Sequence, residues 1–259
     1  DTGTGTPPRR AAQLARIHEC PGIGLVREVG GNAGQSATLL REHGYRGRIV
    51  SFEPLSAAHA RLVASAQRDD AWQVAPRMAL GDSEGEILIH VAGNSLSSSV
   101  LDMLPAHKQA VPGSGFVGSE TVALQRLDRV APGYLQGAKA VLLKIDNQGY
   151  EDKVIAGAAG GLDRINAIPT EMSFVPLYAG QPPFDGLRAK IESMEFELFG
   201  VVPGPVHLGE RELHARAAWT RAQMRSTEAS SSSGLIGSDS TVFAAASDAG
   251  SATSRFDDS

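Results

Sequence analysis

The stretch Gly24-Leu-Val-Arg-Glu-Val-Gly-Gly-Asn-Ala-Gly34 is the most informative part of this 259-residue chain about its fold class. It joins a short apolar strand to a cluster of glycines, and a helix is predicted directly after it over residues 35–43, where Gly44 stops it. A second strand is predicted over residues 48–53 and is closed by Pro54. A strand, a glycine turn, a helix and a second strand are typical of the first half of a doubly wound sheet.

The rest of the chain continues this alternation to about residue 202. Further core strands are predicted at residues 72–75, 140–146, 165–171 and 196–202, with helices at 57–66, 148–159 and 184–194. Two more strands, at 86–91 and 121–127, flank a polar segment that we interpret as a long loop. The predicted fold class is α/β, a Rossmann-like, doubly wound and mostly parallel sheet with a β insertion between the third and fourth core strands.

The two ends of the chain differ in composition from this alternating region. Residues 210–225 carry four arginines on a mostly alanine background and can form a helix, whereas 11 of the 34 residues from 226 to 259 are serine. A serine-rich segment with few large apolar side chains is expected to be disordered. The predicted organisation is an N-terminal extension over residues 1–17, one folded domain over residues 18–205, and the helix and tail over residues 206–259.

Composition and charge exclude several classes of protein. The 24 basic and 29 acidic side chains give a formal charge of −5, which argues against a nucleic-acid-binding surface. Cys20 is the only cysteine, so an intrachain disulfide and a cysteine-rich zinc site are excluded. The sequence shows neither a signal peptide nor an apolar run near the roughly 18 residues of a membrane span. We therefore expect a soluble, cytoplasmic protein, and the excess of arginine over lysine indicates a GC-rich bacterial genome.

The glycine cluster and the acid that ends the second strand predict a nucleoside-binding site. Gly30, Gly31 and Gly34 let a ligand approach the backbone at a helix N-terminus. Glu53, 19 residues beyond Gly34, is placed to accept hydrogen bonds from ribose hydroxyls. A dinucleotide site would have the spacing G-x-G-x-x-G, which Asn32 interrupts. S-adenosylmethionine has no pyrophosphate to cradle, so the spacing favours this methyl donor without excluding NAD.

Several further motifs occur in a fixed order along the chain. They are Glu28-Val-Gly-Gly-Asn-Ala-Gly-Gln35, Ile49-Val-Ser-Phe-Glu-Pro-Leu55, Ala79-Leu-Gly-Asp82, Leu143-Lys-Ile-Asp-Asn-Gln-Gly-Tyr-Glu151 and Glu171-Met-Ser-Phe-Val-Pro-Leu-Tyr-Ala-Gly180. In this order and spacing, from about residue 24 to about residue 202, the chain resembles the FkbM family of methyltransferases. The resemblance implies a class I methyltransferase fold, S-adenosylmethionine as cofactor, and O-methylation of a hydroxyl on a sugar or natural product.

The resemblance also assigns residues to the cofactor site. It implies that the glycine turn shapes the methionine side of this site, that the acid after the second strand binds the ribose, and that Asp82 lies near the adenine. The cofactor-binding residues are thus expected to be Glu28, Gly30, Asn32, Gly34, Glu53 and Asp82.

Some positions depart from the family pattern. Glu28 stands where the family usually has Asp, Gly31 where it has Ala, and Asn147 where it tends to have a small, apolar or hydroxyl side chain. The last strand of the fold is not recognisable after Val202, and residues 240–245 are its only candidate. These departures leave open the alternative of a non-catalytic, degenerate methyltransferase-fold binding protein.

Three acids are expected to converge at the carboxyl edge of the sheet, where ligands bind in open α/β folds. Asp146 ends the central strand, Glu171 ends the adjacent strand, and Glu151 lies in the first turn of a helix. A hydroxyl acceptor needs a base or a metal, so these acids are predicted to act as a base with its supports, or as ligands of Mg²⁺, which the sequence does not establish. For Glu151 the alternative is an acid stabilised by the helix dipole. Lys144, in the same buried strand as Asp146, is interpreted as the partner of a nearby acid.

Two other groups are candidates with strong structural alternatives. Residues 97–99, three serines in the insertion, are expected either to touch the substrate or to form a polar turn. His90 is the one histidine worth testing as a base, although a hydrogen-bonded strand histidine is the preferred interpretation. The expected partner of the protein is a small-molecule or glycan hydroxyl acceptor.

Overall fold

The computed structural model describes residues 22–135, 137–204, 207–208 and 211–221 of the chain. Within these residues the strands are β1 (Ile23–Val29), β2 (Arg48–Phe52), β3 (Trp72–Val74), β4 (Ala79–Gly81), β5 (Gly85–Ala92), β6 (Phe116–Arg126), β7 (Ala140–Ile145), β8 (Ile165–Ser173), β9 (Phe196–Pro203), β10 (His207–Leu208), β11 (Arg211–Glu212) and β12 (His214–Arg221). The α-helices are α1 (Gln35–Glu42), α2 (Ser56–Ala66), α3 (Pro105–Ala110), α4 (Leu127–Val130), α5 (Glu151–Gly157) and α6 (Phe184–Glu192). Residues Ala131–Tyr134 and Ala159–Arg164 form 3₁₀ helices.

The central sheet is mostly parallel and doubly wound. Among the described strands its order is β3-β2-β1-β7-β8-β12-β9. Neighbouring strands from β3 to β8 run parallel, whereas β12 runs antiparallel to both β8 and β9. The chain leaves the β3 edge and returns to the middle of the sheet as β7, beside β1, which creates a switch point between these two strands. The predicted α/β class with a mostly parallel sheet is confirmed.

The two faces of this sheet carry separate apolar layers. On β7, Val141, Leu143 and Ile145 belong to one buried cluster, and Leu142 belongs to a cluster on the opposite face, because successive side chains of a strand alternate. Helices cover both faces, so the central strands are nearly continuous apolar runs. Of the described helices, none combines the length and the apolar character that crossing a membrane requires.

A smaller sheet lies between β3 and β7 in the chain. Its order is β4-β6-β5, with β4 parallel and β5 antiparallel to β6. Ile89, Val122 and Leu124 of this sheet pack with Leu55 and Ala58 at the start of α2. The long connection between β5 and β6 includes α3, and this packing places the connection over the carboxyl end of the central sheet.

The prediction of a helix over residues 210–225 is wrong. Residues 214–221 form β12, which inserts between β8 and β9 and pairs with both. Alanine is the best intrinsic helix former, so the alanine-rich segment has helical propensity, but pairing on two sides overrides that weak preference. The folded domain therefore continues to at least residue 221 and does not end at residue 205, and β12 is the last of the strands that the structure describes. Residues 1–17 and the alternative candidate strand at 240–245 lie outside the described residues.

Trp219 tests the position of β12, because its side chain has 0% exposure on a strand that pairs with β8 on one side and β9 on the other. We expect Trp219→Ala to lower the free energy of unfolding by about 3–5 kcal/mol, measured by urea denaturation. Val117→Ala is the control, since Val117 is 74% exposed and its truncation should change stability by no more than about 0.5 kcal/mol. Equal, small effects of both substitutions would contradict the buried strand.

Candidate functional site

The glycine turn after β1 packs directly against the end of β7. Gly30 has a φ of +78°, and a Cβ atom at this position would collide with the backbone carbonyl oxygen of Asp146. The backbone N–H groups of Gly30 and Gly31 both donate to the carbonyl of Phe52, at 3.1 and 3.0 Å. Position 30 therefore requires glycine, and the turn is fixed against both β2 and β7.

Glu53 holds the same turn from the end of β2. Its side chain is buried; Oε2 accepts the backbone N–H of Asn32 at 2.8 Å, and Oε1 accepts that of Leu55 at 2.9 Å. Burial raises the pKa of the carboxyl, and these two hydrogen bonds oppose the rise. Each carboxylate oxygen keeps a further lone pair, so Glu53 can still accept hydrogen bonds from a ligand.

A first cleft opens beside this turn, with an empty volume of about 640 Å³ that includes space open to solvent. Polar groups line one part of it, and apolar groups line another. The polar residues include Gly30, Asn32, Glu53, Asp146 and Asn147, and the apolar ones include Leu55, Ala79, Leu80 and Ile89. This division into polar and apolar walls is typical of a site for a small organic ligand.

Glu28 and Gly34, both predicted for the cofactor site, pack against the glycine turn without lining the first cleft. Glu28 is buried under the turn, where its Oε2 accepts the hydroxyl of Ser51 at 2.7 Å. A Cβ atom on Gly34, whose φ is +90°, would lie 2.6 Å from the ring of Trp72, so this glycine allows the turn to pack on that ring. Neither residue is among those that line the cleft.

The prediction that Asp82 lies near the adenine is not supported by its position. The Asp82 carboxylate forms an ion pair with Lys153 at 3.0 Å and lies outside the residues that line the first cleft. The side-chain hydrogen bond from Lys153 holds the pKa of Asp82 below its usual range. Asp82 therefore ties β4 to α5, and Ala79 and Leu80, earlier in the same motif, line the cleft instead.

Lys144 connects Glu28 to Asp146 beneath the first cleft. Its Nζ atom lies 3.5 Å from Oε1 of Glu28 and 3.4 Å from Oδ2 of Asp146. Burial acts to lower the pKa of Lys144, but the charges of Asp146 and Glu28 outweigh it and raise the pKa. The interpretation of Lys144 as the partner of a nearby acid is confirmed.

A second cleft lies on the other side of Asp146 and has an empty volume of about 950 Å³, again with open space included. Asp146, Gln148 and Leu96 line both clefts. Glu171 lines the second cleft, where its Oε1 accepts hydrogen bonds from Arg216 at 3.0 Å from Nε and 2.9 Å from Nη2. The two clefts thus meet at the carboxyl end of β7.

Glu171 is held as an anion. Burial would raise its pKa, but the nearby imidazole of His214 and the guanidinium of Arg216 outweigh burial and hold the pKa well below its usual range. Its second oxygen, Oε2, accepts a hydrogen bond from Gln148 at 3.0 Å. A carboxylate with so little affinity for protons supports its neighbours and is a poor proton acceptor.

Glu151 is buried beneath the turn that follows β7. Its carboxylate accepts the backbone N–H of Asn147 at 3.0 Å and that of Gly149 at 3.0 and 3.2 Å. Burial raises the pKa of Glu151 to about 8. Glu151 therefore shapes the turn, although it also lies in the lining of the second cleft.

The three acids do not make a metal site. The described residues contain no group of three or more His, Cys, Asp or Glu side chains that could hold a metal ion. The carboxylate of Glu171 is bonded to Arg216 and Gln148, and that of Glu151 to backbone N–H groups. The donor set does not fit Mg²⁺, which prefers several free oxygen ligands around one point.

The serines of the insertion line the two clefts, whereas His90 lines neither. Ser97 lines the second cleft, whereas Ser98 and Ser99 line the first. His90 stacks on Phe116, with ring centroids 4.8 Å apart, and lies outside both sets of lining residues. The hypothesis of His90 as a base therefore has no geometric support.

Sequence reasoning missed several residues of the second cleft. His107 of α3 places its Nε2 atom 3.1 Å from Oγ of Ser97, and burial lowers its pKa to about 4. His214 and Arg216 come from β12, which was predicted as a helix. Of the residues of this cleft that were missed, only Gln148 could have been found from the sequence, since it stands two residues after Asp146 in the motif of residues 143–151.

The comparisons with known proteins agree with this architecture. A family model described as the methyltransferase FkbM domain matches residues 28–198. The chain belongs to the FkbM methyltransferase family. It is therefore an S-adenosylmethionine-dependent methyltransferase with a Rossmann-like class I fold. The matched residues contain the glycine turn and Asp146, whereas β12 lies beyond them.

Solved structures show remote likenesses, and no curated protein matches the chain. An O-methyltransferase from Bacillus cereus, solved in complex with SAH, is 11% identical with a TM-score of 0.48, covering 85% of this chain and 84% of that one. TehB from Haemophilus influenzae is 7% identical with a TM-score of 0.43, covering 81% of this chain and 62% of that one. The family assignment rests on the family model.

The first cleft of this FkbM methyltransferase fits S-adenosylmethionine. The Oδ1 atom of Asn147 is buried without a hydrogen-bond partner in the described part of the chain, and Asn147 lines the cleft. Such an acceptor suits the amino group of the cofactor, while Glu53 suits ribose hydroxyls and the apolar wall suits adenine.

The raised pKa of Glu151 predicts a pH dependence of stability. A carboxyl whose pKa is about 8 in the folded protein, against about 4.5 when unfolded, keeps its proton in the folded state between these values. The stabilisation that the protonated Glu151 carboxyl contributes is complete below pH 4.5 and is lost as the pH rises to about 8, by on the order of 5 kcal/mol.

Urea denaturation at pH 5 and pH 8 measures this decrease in the free energy of unfolding. The Glu151→Gln variant should show only a small part of the decrease. Asp152→Asn is the matched control, because it removes an acid from the same helical turn and leaves Glu151 in place. An unchanged fall in the Glu151→Gln variant would contradict the assignment to Glu151.

Proposed function

We propose that this FkbM methyltransferase transfers the methyl group of S-adenosylmethionine to a hydroxyl of a sugar or natural-product acceptor. The meeting of the two clefts at Asp146 carries the proposal. Methyl transfer is an in-line displacement, which requires donor and acceptor to face each other across one point. The first cleft supplies the donor side, the second cleft supplies the acceptor side, and a carboxylate stands between them.

The donor side is formed by the glycine turn and the end of β2. Gly30 and Asn32 shape the wall beside the methionine part of the cofactor, and Glu53 accepts hydrogen bonds from its ribose. When bound, S-adenosylmethionine supplies a methyl group on a positively charged sulfur. Asp146, whose carboxylate is held by Lys144, lines this side of the site and favours a cation there.

On the acceptor side Asp146 takes the proton of the reacting hydroxyl. An alcohol is a very weak acid, so its oxygen becomes a good nucleophile only as a positioned base removes the proton. Asp146 lines both clefts, whereas Glu171 and Glu151 line the second cleft and not the first, so Asp146 is the carboxylate at the junction and the base that we assign.

The lining of the second cleft supports a polyhydroxylated acceptor with one apolar face. Its polar residues include Asn94, Ser97, Ser173 and Gln181, and its apolar residues include Leu96, Val111, Pro112 and Leu177. Side chains that both donate and accept hydrogen bonds match hydroxyl groups, and the apolar wall matches the carbon skeleton of a sugar or natural product.

Calorimetric titration with S-adenosylhomocysteine, and separately with NAD, tests the donor side. The wild-type protein should bind the first and not the second, and Glu53→Ala should weaken S-adenosylhomocysteine binding by about tenfold or more, since it removes the ribose acceptor and frees Asn32.

Glu120→Ala is the matched control for this titration. The Glu120 carboxylate also accepts a backbone N–H, that of Ser56 at 3.0 Å, but it lies outside both clefts. Its loss should leave affinity within about twofold. Equal affinities of wild type and Glu53→Ala would remove Glu53 from the site, and binding of NAD alone would refute a methyltransferase cofactor site.

Asp146→Asn tests the acceptor side. Transfer of radiolabelled methyl from S-adenosylmethionine to a panel of methyl glycosides and hydroxylated natural products should fall by about a hundredfold or more, because the amide cannot take the proton. Affinity for S-adenosylhomocysteine should remain. Asp102→Asn, at a side chain that is 82% exposed, is the control. Full activity of Asp146→Asn would refute the base, and cofactor binding without transfer by the wild type would favour the non-catalytic alternative.

A further inference from the structure

We propose that Gln148 is a positioning residue for the transfer step, and that its side-chain amide holds the carboxylates of Asp146 and Glu171 in one arrangement where the two clefts meet. A role of this arrangement in methyl transfer rests on the proposed function. The hydrogen bonds of Gln148 do not depend on that function, so they are tested below without an acceptor.

Gln148 occupies an unusual place in the fold. It lies in the turn between β7 and α5, with a φ of +51°, a left-handed conformation that non-glycine residues seldom adopt. Residues in such conformations persist where their surroundings hold them, and they concentrate at functional sites. Together with Asp146 and Leu96, it lines both clefts.

The hydrogen bonds of the side chain fix the orientation of its amide. The Nε2 atom lies 3.0 Å from Oδ1 of Asp146 and 3.0 Å from Oε2 of Glu171. Carboxylate oxygens accept hydrogen bonds, so the amide nitrogen and not the amide oxygen faces them. The Oε1 atom points away from the acids and accepts the hydroxyl of Tyr178 at 2.9 Å.

These contacts use both hydrogens of the amide nitrogen. The side chain of Gln148 therefore has no donor left for the acceptor or the cofactor, and its contribution is to hold its neighbours. Two carboxylates bound to the same nitrogen repel each other, and such a pair binds a proton more readily unless donors and cations surround it. The amide nitrogen lies between Asp146 and Glu171, and Arg216 neutralises the far side of Glu171.

Charged and titratable groups from several elements surround Asp146. They are Lys144 on the same strand, Glu28 of β1, Glu151 of α5, Arg216 of β12 and Tyr178 of the loop after β8, and Glu171 of β8 faces Asp146 across the Gln148 amide. Among the described contacts, the Gln148 amide is the neutral donor in direct hydrogen bond to the Asp146 side chain. Replacing this amide by an uncharged side chain should therefore move the midpoint of the Asp146 titration while every charged neighbour stays in place.

The backbone of the turn is held without the Gln148 side chain. Glu151 accepts the N–H groups of Asn147 and Gly149, and the hydroxyl of Ser99 donates to the carbonyl oxygen of Gln148 at 2.7 Å. A side-chain substitution at position 148 should therefore keep the turn and test the amide alone.

The experiment follows the side-chain carboxyl carbon of Asp146 by ¹³C NMR during a pH titration of the full chain. The Asp146→Asn variant identifies its signal. Gln148→Glu places a third carboxylate against the pair with the same side-chain shape. Gln148→Met removes both donated hydrogen bonds without adding charge.

Gln181→Glu is the matched control, because Gln181 lines the same second cleft. Its Oε1 atom accepts the backbone N–H groups of Leu177 and Tyr178, which a glutamate can also do. S-adenosylhomocysteine binding and circular dichroism establish that each variant is folded.

We expect the midpoint of the Asp146 titration to move to higher pH by about one unit or more in Gln148→Glu and by a smaller amount in Gln148→Met. Gln181→Glu should leave it within a few tenths of a unit. A midpoint unchanged in both Gln148 variants, or moved equally by Gln181→Glu, overturns the proposal. If Gln148→Glu does not fold, Gln148→Met against wild type decides. The titration needs neither acceptor nor turnover, so its failure is distinct from a failure to find methyl transfer.

Discussion

The site depends on one close contact between two backbones. Gly30, at the end of β1, lies against the carbonyl of Asp146, and the N–H of Asp146 donates to Val29 at 3.1 Å. This contact places the glycine turn of the first cleft beside the carboxylate that lines both clefts. Any side chain at position 30 would separate them, and the in-line geometry of methyl transfer tolerates little displacement.

The charged side chains around that contact have charged partners. Lys144 lies between Glu28 and Asp146, and Arg216 binds Glu171. Burying ion pairs gives little net stability, because the loss of hydration offsets most of the attraction. The effect of this arrangement is instead to fix the carboxylates of Asp146 and Glu171 where the two clefts meet.

The insertion joins the two clefts through its serines. The hydroxyl of Ser95 accepts the side-chain N–H of Asn32 at 2.9 Å, that of Ser97 contacts His107, and that of Ser99 binds the turn at Gln148. One short segment therefore contacts the glycine turn, the second cleft and the turn after β7. Variation in this segment would alter both clefts together.

The alternation of strands and helices, the glycine turn and the position of Asp146 at the end of a buried strand could be predicted from the sequence, because these features arise from local periodicity and local steric demands. The sequence also predicted Glu53 beside the turn. The three-dimensional arrangement was needed to show that Asp82 pairs with Lys153, that Glu151 binds backbone N–H groups, and that Gln148 joins two carboxylates. It also revealed His214 and Arg216 on a strand where alanine content predicted a helix. Strand pairing and charge partners join residues distant in sequence, so no local pattern specifies them.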